Sequence, residues 1–504
     1  MKKVEKDDSY SHILKYTGIF GGVQGLNILI AVVRNKLVAM ILGPGGMGLL
    51  SLFNSTIKLV SDSTNLGISM SAVREIAEAY ESGDEAKVSH IIKLIRVWSL
   101  LTALLGGLLC VALSPLLSRW TFSWGNHTWH FVLLSVVVAF TAVTGGELAI
   151  LKGVRQLRHL AVISVYGVLG ALVTSIPLYL VWGEAAIVPS LIVIALLQML
   201  FTVFYSYRLY PLCLEHSRRL LGEGMGMVRL GIAFVLAGIL GSGAEFVIRS
   251  YLNNVGDLEA VGLYNAGYMM TVTYAGMVFQ AMETDYFPRL SAVKGVGEQL
   301  NLVVNRQIEV SLLLISPLLV FFMVCAPILL PLLYSGKFLP VMGMMKITVL
   351  SMYFRAITLP IEYISLAKGR SWVYLFTEAV YDVFIVFAVI LGYHYLGLAG
   401  TGIGIVLAGL FNLVFVLVLT FKVYRYHLSS NVIAYSLVLM PLGLVAYLIT
   451  FLTTGVVYWV AGGLINLVCL GYSLHVLRTK AHLWNSLTQK VKMRLPWNKK
   501  RMLH

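Results

Sequence analysis

GVQGLNILIAVVRNKLVAMILGPGGMGLLSLFNSTIKLVSDST, residues 22–64, is the stretch that decides what solvent this chain lives in. Two apolar runs flank Gly43-Pro44-Gly45-Gly46, and roughly 20 apolar residues suffice to cross a bilayer as a helix. Few polar residues interrupt them, and those fall in phase. Gln24, Asn27 and Arg34 lie on one helical stripe through Ala31, while Asn54, Lys58, Asp62, Asn65 and Ser69 follow spacings of three and four. Gly43 to Gly48 also fits a GxGxxG expression, but it follows a helix, with no strand before it and no P-loop Lys-Ser/Thr after it. It reads as a tight turn between two spans.

The rest of the chain extends the pattern. Of its 504 residues, 58% are hydrophobic and 12% charged, where a soluble domain carries about a quarter charged; mean hydropathy is +0.84. Fourteen span-length runs can be placed between residues 14 and 476. The expected fold is therefore an all-α integral membrane protein with 14 transmembrane helices. The first run is too long and uncleavable for a secretory signal and reads as retained. Cys110, Cys213, Cys325 and Cys469 stand far apart without a CxxC, as packing residues do.

The net charge of +15 would suit a nucleic-acid binder, but in a chain this apolar the loop distribution carries the information. Thirty of the 38 Lys and Arg fall in the N-terminus, the even-numbered loops and the C-terminal tail. Two, Arg119 and Lys337, fall in odd-numbered loops, and six, Arg34, Lys36, Lys58, Arg249, Lys346 and Arg355, fall inside spans. The positive-inside rule puts both termini in the cytoplasm. Trp120, Trp124 and Trp129 suit an outer interfacial belt, and no nucleic-acid partner is expected.

Landmarks recur at an offset of 214 to 216 residues: Val33-Arg34 with Ile248-Arg249, Gly48-Leu49 with Gly262-Leu263, Glu147 and Lys152-Gly153 with Glu362 and Lys368-Gly369, Gly183 with Gly397. Each copy holds six spans, an even number, so the copies run in one direction about an axis along the membrane normal. The expected organisation is an N-lobe over 1–206 and a cytoplasmic linker over 207–229, with Glu215, Arg218, Arg219 and Glu223. A C-lobe over 230–428, helices 13 and 14 over 429–477 as an appendage, and a basic tail over 478–504 follow. The tail reads either as an interfacial amphipathic helix on anionic lipid or as a solvated strand of chain.

An ionised side chain in mid-span costs roughly 2.5–3.5 kcal/mol on insertion scales and so faces a partner or a wet cavity. Span seven presents Ser242, Glu245 and Arg249; span eight Tyr264, Tyr268, Thr271 and Tyr274; span ten Thr348, Ser351, Arg355, Thr358 and Glu362. Lys58 with Asp62 and Glu245 with Arg249 stand at i,i+4 and either neutralise each other or line a cavity. Arg34, Lys36, Lys346 and Arg355 have no local acid; Lys346 is expected to find Glu378 or Asp382 across helices. Arg34 and Arg249, at equivalent places in the two repeats, are the candidates for a shared anionic ligand, and a diphosphate suits a pair of planar guanidinium groups. Toward the inner ends of spans, Arg74, Arg289, Glu147, Glu362, Lys152 and Lys368, with Glu75 and Asp285 nearby, read either as a gate of inter-lobe bridges or as ordinary loop anchors. The Asn126-His127-Thr128 sequon says nothing about the host. No HExxH, nucleophile signature or metal-ligand cluster is present, so no enzyme, no metal and no bound cofactor is expected.

The stretch RNKLVAMILGPGGMGLLSLFNS, the following NLGISMSAVREIAE, and twelve duplicated spans with two more at the end resemble the polysaccharide transporters, or Wzx-type flippases, of the multidrug/oligosaccharidyl-lipid/polysaccharide exporter superfamily. The resemblance implies two lobes around a cavity with alternating access in the bacterial inner membrane. It implies an undecaprenyl-diphosphate-linked oligosaccharide as cargo, moved from inner to outer leaflet for O-antigen or capsule; on that cargo Arg34 and Arg249, helped by Lys58 and Arg355, are expected to bind the diphosphate, and Tyr264, Tyr268 and Tyr274 to face the sugars. Membrane lipids, a polysaccharide polymerase and a chain-length regulator are the expected partners. Related lipid II flippases carry an Arg-Asp pair late in span one, where this chain has Arg34-Asn35, so the acid does not carry over. A MATE-type carboxylate in span one is missing between Lys15 and Arg34. The competing readings are a cation-coupled multidrug antiporter, using Glu245, Asp62 or Glu378 with Asp382 and a proton or sodium ion, a lipid II flippase, and a scaffold that transports nothing. The membrane potential is the alternative driving force.

Overall fold

The computed structural model describes residues 4–211, 225–293 and 295–479, without the side chains of 4–22, 24, 69, 70, 157, 226–231, 233, 234, 275, 280, 281 and 283–285. The Gln24 and Asp285 side chains, most of the linker and the tail beyond residue 479 lie outside the described residues. Regular structure among the described residues is helical throughout.

The longest helices cannot be single spans. Helix α1 (Val4–Thr64) has 61 residues and would be about 90 Å long if straight, against roughly 30 Å of hydrocarbon. It breaks at Gly43, where φ is 66° and ψ −171°, a left-handed backbone that side chains other than glycine resist. Pro44 then opens the second helical half, where its missing N–H costs nothing. The helices α2 (Ile68–Glu81), α3 (Glu85–Thr121), α4 (Thr128–Gly153), α5 (Leu157–Trp182) and α6 (Ile187–Leu209) follow. Between α5 and α6 the chain turns at Gly183, φ 57° and ψ −133°.

Beyond the linker come α7 (Met225–Val255), α8 (Leu258–Tyr268), a π-helical turn at Met269–Thr273, α9 (Tyr274–Ser291), α10 (Glu298–Leu333), α11 (Met342–Thr348) and α12 (Ser351–Ala367). The 54-residue α13 (Ser371–Tyr424) breaks at Gly397, φ 60° and ψ −145°, the same turn as at Gly183 and 214 residues on. Helices α14 (Ser430–Leu452) and α15 (Gly455–Thr479) end the described chain.

Nine helical stretches among the described residues are long and apolar enough to cross a membrane, ten with the pair Gly336–Thr348 and Ser351–Ala367, bent by 52°. Three of the nine, over 25–64, 158–209 and 371–424, contain a glycine turn and are two spans each. Helices α8 and α9 supply a more polar one, and the count reaches fourteen. Residues such as Leu108, Val173 and Leu437, 67–70% exposed on these helices, fit lipid-facing surfaces rather than water.

Two differences from the sequence reading have a simple cause. Helix α2 occupies what reads as loop, and α3 and α10 begin at Glu85 and Glu298, well before their apolar runs. Hydropathy marks only the part of a helix inside hydrocarbon; the Asp84 side chain, accepting from the Lys87 amide at 2.9 Å, caps α3 outside it.

The repeat is visible in local geometry. After α4, the amides of Val154, Arg155 and Gln156 donate to the carbonyls of Ile150, Lys152 and Leu151. After α12, Lys368, Gly369 and Arg370 donate to Ile364, Leu366 and Ser365, each partner 214 residues later. Arg155 and Gly369 hold the left-handed position, φ 57° and 69°. Lys152 and Lys368, aligned by their shared Lys-Gly, are thus two residues out of step.

By packing, the chain divides into residues 1–265 with 331–338, and residues 266–330 with 339–504. In the first unit, Ile76, Ile95, Trp98 and Ile150 join α2, α3 and α4 in one core. There the repeat mates Gly48 and Gly262 meet: a Cβ on Gly48 would lie 1.9 Å from the Leu258 carbonyl oxygen, and one on Gly262 would lie 1.8 Å from that of Pro44. In the second unit, Leu439 and Cys469 share a core with Leu312, Met323 and Ile357. Tyr458 donates to the Val324 carbonyl at 2.9 Å, and Gly462 packs on Val324. The last two spans, expected as an appendage, are part of that core.

Candidate functional site

In the first unit, Arg34 projects from the first half of α1 toward α5. Its Nε donates to Ser175 Oγ at 3.2 Å, and Tyr179 hydrogen-bonds it as well; the Tyr179 hydroxyl in turn pairs with Ser190 Oγ at 2.6 Å. One turn or two before, Asn27 donates to Ser164 Oγ at 2.7 Å. These partners are neutral. No carboxylate among the described residues pairs with Arg34, so hydroxyls orient a guanidinium whose charge stays available. Lys36 instead donates to the Pro331 carbonyl.

The second half of α1 builds a different arrangement with α7 and α8. Lys58 Nζ lies 2.8 Å from Glu245 Oε1, and Arg249 Nη1 lies 2.9 Å from Glu245 Oε2. Arg249 also donates to Asn265 Oδ1 at 3.3 Å, while the Ser242 hydroxyl donates to the Gly238 carbonyl of its own helix at 2.7 Å. Of the two local pairs suggested by spacing, Glu245 with Arg249 forms; Lys58 reaches across to Glu245 rather than closing on Asp62. The surplus of positive charge is accordingly smaller here than at Arg34.

The second unit holds an acid-rich counterpart. Arg355 on α12 interacts with Glu362, Glu378, Tyr381 and Tyr268, Glu378 with Asp382 and Tyr374, and Glu362 accepts from Asn412 Nδ2 at 2.8 Å. Arg355 is therefore charge-compensated both by Glu362, two turns on along the same helix, and by Glu378, which packing of α13 brings in. Lys346 departs from expectation: it turns away from Glu378 and Asp382 and donates to the Thr450 carbonyl at 2.9 Å, with the Tyr458 ring 4.9 Å below. Tyr264 is 3% exposed and offers no face to a sugar, whereas Tyr268 and Tyr274 are partly buried.

Five of the six gate candidates bond a partner within their own unit. Arg74 bonds Glu78 one turn on at 2.9 Å, both exposed; beside them burial, helped by Glu78, pushes the Glu75 carboxyl up. Glu147 pairs with Arg96 at 3.0 Å, with side chains only 3% and 8% exposed, and not with Lys152, which is exposed. Lys368 Nζ donates to the Val293 carbonyl at 2.7 Å, Arg289 to Gln307 Oε1 at 3.4 Å, and Glu362 is held by Asn412. The sequence reading missed Arg96, counted as a loop cation because it stands at the first turn of an apolar run. It also binds the Tyr210 carbonyl at 2.8 Å and lies 4.2 Å from the Tyr207 ring, closing the end of α6.

These features define a polytopic helical membrane protein with buried polar stripes, and solved structures share its fold. The lipid II flippase MurJ in an inward closed conformation is 13% identical, covering 92% of this chain and 99% of that one at a TM-score of 0.65. An inward-facing multidrug resistance MATE family transporter of the MOP superfamily is 17% identical, covering 82% and 96% at 0.59. An outward-facing one is 18% identical, covering 83% and 94% at 0.55. No curated protein matches. A family model described as polysaccharide biosynthesis protein matches residues 37–343, more than half of the chain, and the chain belongs to that family.

Proposed function

We propose that this protein is a flippase that moves undecaprenyl-diphosphate-linked oligosaccharide units from the inner to the outer leaflet of a bacterial cytoplasmic membrane, for O-antigen or capsule. What carries the reading is Arg34, a guanidinium in mid-span oriented by Ser175 and Tyr179, with no carboxylate on it among the described residues. In hydrocarbon such a charge is retained where an anion comes to meet it, and its planar donors match phosphate oxygens. Arg249 and Lys58, already gripping an anionic group, supply the second cationic point of the same unit. Arg355 is left out of the phosphate site, because Glu362 and Glu378 compensate it.

Alternating access carries the headgroup while the prenyl chain stays in lipid. An inside-negative potential assists, at roughly 2.3 kcal/mol per negative charge per 100 mV. A second reading concerns coupling: Glu362, Glu378 and Asp382 outnumber Arg355 in their cluster, which favours a proton or sodium ion there. Polymerase and chain-length regulator are the proposed downstream partners.

The test is export in cells lacking their own copy. Arg34→Ala and Arg249→Ala are each expected to abolish surface glycan, at least about 100-fold, while the protein reaches the membrane in normal amount. Normal export by the double variant would sink the proposal. Vesicle assays with an imposed potential, pH gradient or sodium gradient tell which one drives transport.

A further inference from the structure

The Glu245 carboxylate sits between two cations, one on each oxygen: Lys58 Nζ on Oε1 at 2.8 Å and Arg249 Nη1 on Oε2 at 2.9 Å. That is also how the same two groups would hold one phosphate, whose oxygens accept from both at once. The bridge does not lie in a dry core, since the Lys58 side chain is 51% exposed and that of Glu245 33%. A lysine this exposed in mid-span faces water rather than lipid. Among the described residues the charged groups acting on one another here are Lys58 and Asp62 from α1 and Glu245 and Arg249 from α7, two cations against two carboxylates, with Asn265 of α8 accepting from Arg249 Nη2. An anion arriving at such a balanced group gains little unless one carboxylate moves aside.

We infer that Glu245 is a resident counter-anion: it occupies the phosphate position of the empty site, and a diphosphate headgroup binds Lys58 and Arg249 by displacing it. The inference rests on the diphosphate reading above and adds to it how the cargo is let go. On displacement the carboxylate is left to the water that already reaches it. On release it closes again on both cations and prevents the diphosphate from returning to the same position. Affinity is thereby held down so that turnover is possible, because an interaction that tightens the bound state without favouring the passage slows release.

Full-length wild type, Glu245→Gln and Glu245→Asp, purified in detergent, are titrated with a polyprenyl diphosphate and separately with inorganic pyrophosphate, and glycan export is measured in cells. Loss of one charge-assisted competitor is expected to tighten Glu245→Gln for both probes by about tenfold or more, the lipid probe staying the tighter, while export falls. Glu245→Asp, too short to span both cations, is expected between the two and carries the test if Glu245→Gln is missing from the membrane. Wild type binding a diphosphate while Glu245→Gln binds it equally or more weakly overturns the counter-anion and leaves the diphosphate reading standing. Wild type binding neither probe overturns both.

Discussion

Arg96 and Glu147 form an ion pair that is sensitive to a single change. Both side chains are more than nine-tenths buried, and Ser206 adds a third hydrogen bond to the carboxylate. Such a pair brings modest net stability because desolvation offsets attraction, but removing one partner strands a buried charge at about 3–5 kcal/mol. Glu147→Gln is expected to lower the thermal midpoint in detergent sharply, and adding Arg96→Met to recover part of the loss. An unchanged midpoint for Glu147→Gln would mean the pair is wetter than its burial indicates. Arg34 is the opposite case: sequence alone marks it as a candidate, since a lone arginine in an apolar run is costly to keep as a packing residue, and its role stands as the proposal made above. Arg355 shows where that logic stops: Glu362 follows it two turns on along the same helix, and Glu378 comes from a neighbouring helix whose register the sequence does not disclose.

Among the helices, glycine decides where a span ends and which spans touch. Gly43, Gly183 and Gly397 take φ near +60° and turn the chain back where propensity alone would extend it. Gly48 and Gly262 let α1 and α8 approach backbone to backbone, each lying where its repeat mate's helix leaves no room for a Cβ. Gly48→Ala or Gly262→Ala is expected to force the helices apart and cost about 1–3 kcal/mol or more, seen as a lower midpoint. Gly45→Ala, with its nearest atom 3.9 Å away on the Glu184 side chain, is expected within about 0.5 kcal/mol of wild type. The sequence aligned Gly48 with Gly262 as copies; that the copies also meet is a fact of packing. The loop expected after span two is helix α2 for a related reason: its amphipathic run is too short and polar to register as a span.

At the scale of the whole molecule, the distribution of Lys and Arg predicts sidedness. With the four native cysteines replaced, Ser123→Cys and Thr454→Cys are expected to react with a membrane-impermeant maleimide in intact cells, and Ser82→Cys only after permeabilisation. The reverse pattern would invert the orientation. The last two spans, packed against Val324 and Tyr353, belong to the second unit's core, so truncating them exposes that core rather than trimming an appendage.

Sequence alone determined the solvent, the helical class and the fourteen spans. Each of these follows from hydropathy, periodicity or local spacing, which need no third dimension. Only the tertiary structure decided which partners come from other helices. Glu245, one turn from Arg249, also takes Lys58; Glu378 joins Glu362 on Arg355; Arg96 claims Glu147; and Lys346 turns to a backbone carbonyl. The reason is physical: in a low-dielectric interior a charge takes its partner from whichever helix packs beside it, and that neighbour can stand more than a hundred residues away along the chain, as Glu245 does from Lys58.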